Sequence, residues 1–234
     1  MNKICFIVGH GKSKTGGYDP GAVSGTAQEY KIAREIAKHA QAYYNANYTE
    51  QADLMNYNAD LYLQDRIDKV NASGYDFVAE IHLNAGGGTG TECYHSSGNS
   101  KGEQYAAAIT KNIASALGIK DRGARTKLNS SGRDYFAIIR ETKPTAVLIE
   151  TAFIDTSDLS KINDAAGRAK CGEAIAKAVA SVRGAAAKPK TVTPTKPSGK
   201  LYRVQTGAFS SAENAQKMAD KLKKAGYDTI IKSE

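Results

Sequence analysis

Three polar residues stand where an apolar strand would be expected to run out. His10 follows "CFIV" with one glycine between, His82 sits in "VAEIHLNA", and Glu150 sits in "TAVLIETAF". A lone histidine beside a strand is most often structural. Two histidines and a carboxylate at three such positions are instead a ligand set for a catalytic zinc ion, with a fourth position left open to water. The carboxylates that can complete the set are Asp19, Glu29, Glu80 and Glu150. Glu29 opens a helical stretch, and a helix returning beside the first strand would carry its first turn to His10. Asp19 lies within a glycine-rich loop, a poor place to hold a ligand. Glu80 stands two residues before His82 on the same strand and therefore shares its face. It reads equally as a partner that orients the imidazole and as a buried structural acid. Glu150 is then available as the general base, and a buried carboxylate there needs a partner in any case.

These residues need strands that end together. "KICFIV", "YDFVAEIHL", "ECYHS" and "TAVLIETAF" read as strands. Between them lie helical patterns: "AQEYKIAREIAKHAQAYY" with Ala33, Ile36, Ala37 and Ala40 on one stripe flanked by Ile32, and "NADLYLQDRIDKVNAS" with Leu61, Ile67 and Val70 inward and Asn58 as cap. "KGEQYAAAITKNIASALG" is a long helix stopping at Gly118, and "GEAIAKAVASVR" closes the domain. Strands alternating with helices predict an α/β fold, a mostly parallel twisted sheet flanked by helices. Such sheets carry their sites outside the carboxyl ends of the strands, where His10, His82 and Glu150 fall.

The remaining polar residues take ordinary readings. His39 is expected on a polar helix face, and His95, ending a strand, as a loop residue. Arg66 and Asp68 are expected in helix-surface or helix–loop ion pairs, Asn84 in a turn or lining a groove, and Glu141 at a solvated strand end. Cys5, Cys93 and Cys171 are far apart and contain no C-x-x-C pair, so they read as reduced packing residues.

The 234 residues carry a net charge of +8, unevenly placed. Residues 1–183 hold 22 Lys/Arg against 20 Asp/Glu, whereas residues 184–234 hold 10 against 4. The basic character therefore belongs to the C-terminal part and suits nucleic acid, anionic lipid or an anionic polymer such as a cell wall. No basic cluster interleaved with aromatics supports nucleic-acid binding, and no apolar run of about 18 residues supports a membrane span. "MNKICFIVGHGK" lacks the apolar core of a secretory signal, so synthesis in a cytoplasm is expected. "GAAAKPKTVTPTKPSGK", residues 184–200, reads as an extended Pro/Thr/Lys linker. It separates a domain at 1–183 from a unit at 201–234 that reads as strand, helix, strand, a small βαβ repeat. Ala215, Met218, Ala219 and Leu222 stripe its helix. A unit so short does not bury a core alone; a single copy implies pairing with a second molecule or a chain that continues.

"VGHGKSKTGGYDPGA", "AEIHLNA" and "KPTAVLIETAFID", in that order, resemble the zinc-dependent N-acetylmuramoyl-L-alanine amidases of the amidase-3 family. The resemblance spans residues 3–183. It implies zinc held by His10, His82 and Glu29, with Glu150 as the catalytic glutamate, and so separates Glu29 from Asp19. It also implies cleavage of the amide between N-acetylmuramic acid and the L-alanine of the stem peptide in bacterial peptidoglycan. Many members carry a small residue where this chain has Glu80. "YRVQTGAFSSAENA" resembles a SPOR-type repeat, which implies wall binding, although the unit is half of a full double repeat. Together these imply a phage endolysin released by a holin or an autolysin freed by mother-cell lysis. The readings set against them are a zinc carboxypeptidase or other metallopeptidase acting on wall peptides, and a wall-binding protein without catalysis.

Overall fold

A computed structural model describes residues 3–189 and 204–232. The chain forms two compact units, Met1–Pro189 and Lys190–Glu234, each considered by itself. The predicted linker from residue 190 onward and the expected strand position Leu201 lie outside the described residues.

The first unit is a three-layer α/β domain. In chain order, β1 (Ile4–Val8) leads into two small hairpins, β2 (Gly11–Lys12) with β3 (Tyr18–Asp19) and β4 (Val23–Ser24) with β5 (Ala27–Gln28). Then come α1 (Glu29–Asn47), β6 (Ala52–Met55), α2 (Leu63–Ser73), β7 (Phe77–Asn84), β8 (Thr91–His95) and α3 (Ser100–Leu117). β9 (Asp121–Arg125), α4 (Ala137–Arg140), β10 (Thr145–Phe153), a 3-10 turn at Ser157–Lys161 and α5 (Ala165–Arg183) complete it. The main sheet has the order β6-β1-β7-β10-β8-β9. β6, β1, β7 and β10 run parallel, and β8 runs antiparallel to β10.

Every residue of β1 is buried because the strand is covered on both faces. Ile4, Phe6 and Val8 pack with α1, α3 and α5. Cys5 and Ile7 pack with Ile67, Val70 and Ile138 of α2 and α4 on the opposite face. The stripe Ile32, Ala33, Ile36, Ala37, Ala40 is buried as its helical spacing requires, and Gly118 ends α3 in the left-handed conformation. All three cysteines are free and buried.

Several local expectations change. α2 begins at Leu63, not after Asn58, because the Asp65 carboxylate accepts from the Tyr62 amide at 3.0 Å and satisfies the helix start. β6 and β9 form although "ADLM" and "DRGAR" lack an apolar run; both sit at sheet edges, where polar strands are tolerated. The first unit continues through Pro189 because Thr49 N donates to Ala186 O and Lys188 N to Asn47 O. Arg183 adds ion pairs to Glu50 and Asp76 at the same end. In the second unit α6 (Ala212–Lys224) forms, capped by Ser211, with Ala215, Met218, Ala219 and Leu222 among its least exposed residues. The two expected strands do not form among the described residues. Val204 and Ile230 are 88% and 87% exposed.

His39 lies where α1 meets α5, half-buried rather than on an open face. A Cβ on Gly172 of α5 would stand 2.6 Å from His39 Cβ and 2.7 Å from Ala40 N and Ile36 O. The helices approach closely only because this residue is glycine. Gly172→Ala, which would help an isolated helix, is expected to destabilise the domain by about 1–3 kcal/mol. Urea unfolding should show a lower midpoint at unchanged slope.

Candidate metal centre

The loop after β1 turns sharply back on itself. His10 adopts φ 60°, an uncommon conformation for a residue with a side chain. Its carbonyl is held inside by Asn56 Nδ2 at 2.7 Å and Arg66 Nη1 at 3.0 Å. The chain returns through the small hairpins, and the first amides of α1 are satisfied by that loop: Glu29 N donates to Ala22 O and Tyr30 N to Pro20 O. The first turn of α1 is thereby laid against His10.

Glu29 is 4% exposed and sits at the centre of the cluster. Its Oε1 lies 3.2 Å from His10 Nε2 and 2.9 Å from His82 Nδ1, and it also accepts from the Leu83 amide at 3.0 Å. Its Oε2 accepts from the Ala22 amide at 2.8 Å. The other imidazole nitrogens face carboxylates as well. His10 Nδ1 donates to Asp19 Oδ2 at 2.9 Å, and His82 Nε2 lies 3.3 Å from Glu80 Oε2. Glu80 in turn makes a buried ion pair with Arg66, whose Nε lies 2.9 Å from Glu80 Oε1.

One ligand atom each from His10, Glu29 and His82 lie within 4.8 Å of one another. Two nitrogens and one carboxylate oxygen at about 2.0–2.2 Å from a shared centre would stand roughly 3.3 Å apart in a tetrahedral set, so this donor group fits a divalent metal. The surroundings are cut to it. A Cβ on Gly9 would fall 2.3 Å from the His82 ring, and one on Gly21 would fall 2.5 Å from Glu29 Oε2 and 2.7 Å from His10 Cδ2.

The protein-family model described as N-acetylmuramoyl-L-alanine amidase matches residues 4–181. The chain belongs to the N-acetylmuramoyl-L-alanine amidase family. A SPOR domain model matches residues 173–233. Over 235 aligned residues the chain is 32% identical to a sporulation-specific N-acetylmuramoyl-L-alanine amidase of Bacillus subtilis (strain 168), covering 99% of this chain and 84% of that protein. It is 32% identical to an endolysin of Bacillus phage SPP1 over 68% of this chain and 57% of that one. An N-acetylmuramoyl-L-alanine amidase of Clostridium difficile 630 superposes with a TM-score of 0.66 at 27% identity, covering 78% of this chain and 97% of that structure. The protein is thus an enzyme of the peptidoglycan-amidase class, with a candidate metal centre.

Glu150 stands beside the cluster in this amidase, paired in register with His82 across β7 and β10. A bulge follows it, and the register resumes at Phe153 opposite Asn84. Glu150 Oε2 is sealed from solvent and has no hydrogen-bond partner among the described residues. Burial, aided by the negative charges of Glu29 and Glu92, pushes its carboxyl up to about 7 against the opposing pull of His82. Its neighbours shift the other way. Burial works against the charged form of Glu80, but Arg66 and His82 prevail and bring it down to about 2. For His82 the Glu29 and Glu80 carboxylates overcome burial and raise it well above the ordinary imidazole value; His10 is raised by Glu29 and Asp19 in the same way.

Arg66 is not a surface residue: it is 4% exposed and reaches both histidine carriers, the His10 carbonyl directly and the His82 ring through Glu80. The sequence carried a signal, since residues 66 and 70 lie one helical turn apart and place Arg66 beside Val70 on the buried stripe. Asp68 is exposed and accepts from Gln64. His95 ends β8 and is buried instead of lying in a loop, because α3 closes over it at Gly102, which has no side chain to intervene. Asn84 donates to Glu92, and Glu141 follows α4, solvent-exposed and paired with Arg140. Asn56 and Glu92, which carry much of the local bonding, were not singled out from the sequence.

Two measurements follow from this geometry. Glu80→Gln removes the charge behind the His82 ring and is expected to weaken metal affinity about 10–100-fold in competition with a chromophoric chelator. In chelated protein, the raised Glu150 value means that ionisation favours the unfolded chain. The wild type should therefore lose more stability than Glu150→Gln as pH rises from about 4.5 through about 7, the raised His10 and His82 acting alike in both. Above pH 7 denaturation should find the variant more stable by about 1–3 kcal/mol.

Proposed function

We propose that the protein hydrolyses the amide joining the lactyl group of N-acetylmuramic acid to the L-alanine of the stem peptide, with zinc held by His10, Glu29 and His82 and with Glu150 as the proton carrier. The observation that carries the reading is the convergence of those three donors on one point beside a half-buried carboxylate with one oxygen shielded from solvent. A bound zinc ion supplies polarisation of the amide carbonyl and acidification of a water molecule. Glu150 takes the proton from the attacking water and returns it to the leaving alanine nitrogen, a role suited to a carboxyl poised near neutrality. Asp19 and Glu80 fix the two imidazole rings from behind, so that His10 Nε2 and His82 Nδ1 face the centre.

The C-terminal SPOR match, with the basic balance of residues 184–234, supports attachment to the anionic wall polymer. Action on the wall after release by cell lysis belongs to the same proposal, in keeping with the names of the sporulation amidase and the phage endolysin that the chain resembles.

Digestion of purified peptidoglycan, with and without chelator, tests the reading by product mass spectrometry. New L-alanine amino termini and glycan bearing free lactyl carboxylates are expected, and both should vanish on chelation and return with zinc. Cleavage confined to bonds within the peptide would favour the carboxypeptidase alternative. Glu150→Gln should keep one zinc per chain while losing about 10²–10⁴-fold in rate; a variant near the wild-type rate would remove Glu150 from the mechanism.

A further inference from the structure

A single row of residues crosses the sheet from the metal centre to its edge. His82 of β7 pairs with Glu150 of β10, Glu150 pairs with Glu92 of β8, and Glu92 pairs with Gly123 of β9. Residues opposite one another in register point to the same face, so His82, Glu150 and Glu92 share one. The row reaches β9, the last strand, whose outer edge is unpaired.

Two arginines converge where the row ends. Arg122 Nε donates to Glu92 Oε2 at 2.7 Å, and Arg125 Nε lies 4.0 Å from the same oxygen. Residues three apart on an unbroken strand point to opposite faces. Here the register slips between Thr91 and Glu92, leaving Arg122 as the extra residue between Asp121 and Gly123. The bulge turns both guanidiniums toward Glu92, the kind of re-aiming such irregularities provide.

Glu92 does not use up that positive charge. It is 4% exposed, and its Oε1 already accepts from Asn84 Nδ2 at 2.8 Å and Tyr94 Oη at 3.1 Å. One buried carboxylate therefore faces two guanidiniums, and one positive charge is left over. Arg122 is also braced at 5.1 Å over the Phe153 ring, which holds its plane. Among the described residues Arg125 makes an ion pair with Glu92 alone, and its side chain is 50% exposed. Asp121, the one acid on β9, has its Oδ1 engaged by the Gly123 amide.

We infer that Arg122 and Arg125 form a subsite for a free carboxylate on the peptide side of the scissile bond, borne within two residues of the leaving nitrogen. The inference rests on the amidase reading above and extends it to the peptide. Glu150 delivers the proton to the departing nitrogen, so the peptide leaves on the Glu150 side of the centre. That side continues over Glu92 to β9. Neighbouring strands lie about 4.8 Å apart, and an extended peptide advances about 3.3–3.6 Å per residue. The arginine side chains, which reach back to Glu92 one strand beyond Glu150, therefore stand one to two residues from the bond. Arginine is suited to the task because its planar fork donates to both oxygens of a carboxylate.

The test uses the full-length zinc enzyme and two synthetic substrates. Both are N-acetylmuramoyl peptides beginning with L-alanine; in one the residue after alanine carries a free main-chain carboxylate, in the other the corresponding carboxamide. The wild type should prefer the free acid by about tenfold or more in kcat/KM, mostly through KM, and the preference should shrink as ionic strength rises. Arg125→Gln, which leaves the Arg122–Glu92 contact in place, should bring the ratio to within about twofold. Arg122→Lys, which keeps a charge beside Glu92 but loses the fork, should lower it as well. Equal wild-type rates on the two substrates would overturn the subsite, and so would a preference that both variants retain. Cleavage of either substrate at the lactyl amide upholds the amidase reading independently of that ratio.

Discussion

The Glu29 carboxylate is the constraint on which the rest of the domain's active end depends. It is buried, it touches both imidazoles, and it takes backbone amides from two separate segments, Ala22 in the loop and Leu83 on β7. A carboxylate in that position is tolerable only if every lone pair has a donor. Satisfying it fixes where α1 must begin, how the loop before it must fold, and how close β1 and β7 must bring their ends. The left-handed backbone at His10 follows from the same demand, since the ring must come back over the sheet edge while its carbonyl turns inward to Asn56 and Arg66. Strain of that kind persists where the surroundings over-determine it.

The charges around Glu29 form a chain in which acids and bases alternate: Asp19, His10, Glu29, His82, Glu80, Arg66. With neutral imidazoles, three carboxylates face one guanidinium and leave two negative charges in a largely buried cluster. Such an arrangement is a poor device for stability, because desolvation offsets most of what each ion pair gains. It is a good device for holding a doubly charged cation, whose charge matches the surplus. Arg66 keeps the surplus from growing larger and, by touching both histidine carriers, ties the spacing of the two rings to one rigid side chain.

The sequence exposed the parts of this arrangement that local pattern encodes. His10, His82 and Glu150 were visible because each interrupts an apolar strand, and the helical stripes were visible because their spacing is regular. Glu29 was accessible through its place at a helix start but needed the family resemblance to separate it from Asp19. Both acids in fact serve the site, Glu29 between the rings and Asp19 behind His10. Arg66 was misplaced because a charged residue on a helix is ordinarily solvated; only its one-turn spacing from Val70 hinted otherwise. Glu92 and Asn56 were illegible for a different reason. Their partners lie tens of residues away or on neighbouring strands, and their importance exists only once the register is set. The edge strands β6 and β9 likewise have no periodic apolar signal, being held by their neighbours' backbones.

Strand order explains why the chemistry gathers at one end and why it extends sideways. From β1 the chain builds β6 on one side and then crosses to build β7 on the other, so the crevice at the reversal opens between the ends that carry His10 and His82. In a wholly parallel sheet the strand next to β10 would also point its carboxyl end into that crevice. β8 runs the other way, so its first residues, Thr91 and Glu92, arrive there instead, and β9, parallel to β8, brings Arg122 to the same edge. Thr91 Oγ1 then donates to the Glu150 carbonyl at 3.0 Å and pins that strand beside the metal centre. Glu92 raises the proton affinity of Glu150, while Arg122 and Arg125 limit how far that charge is felt. One reversal of strand direction thus sets both the poise of the proton carrier and the polarity of the surface beyond it.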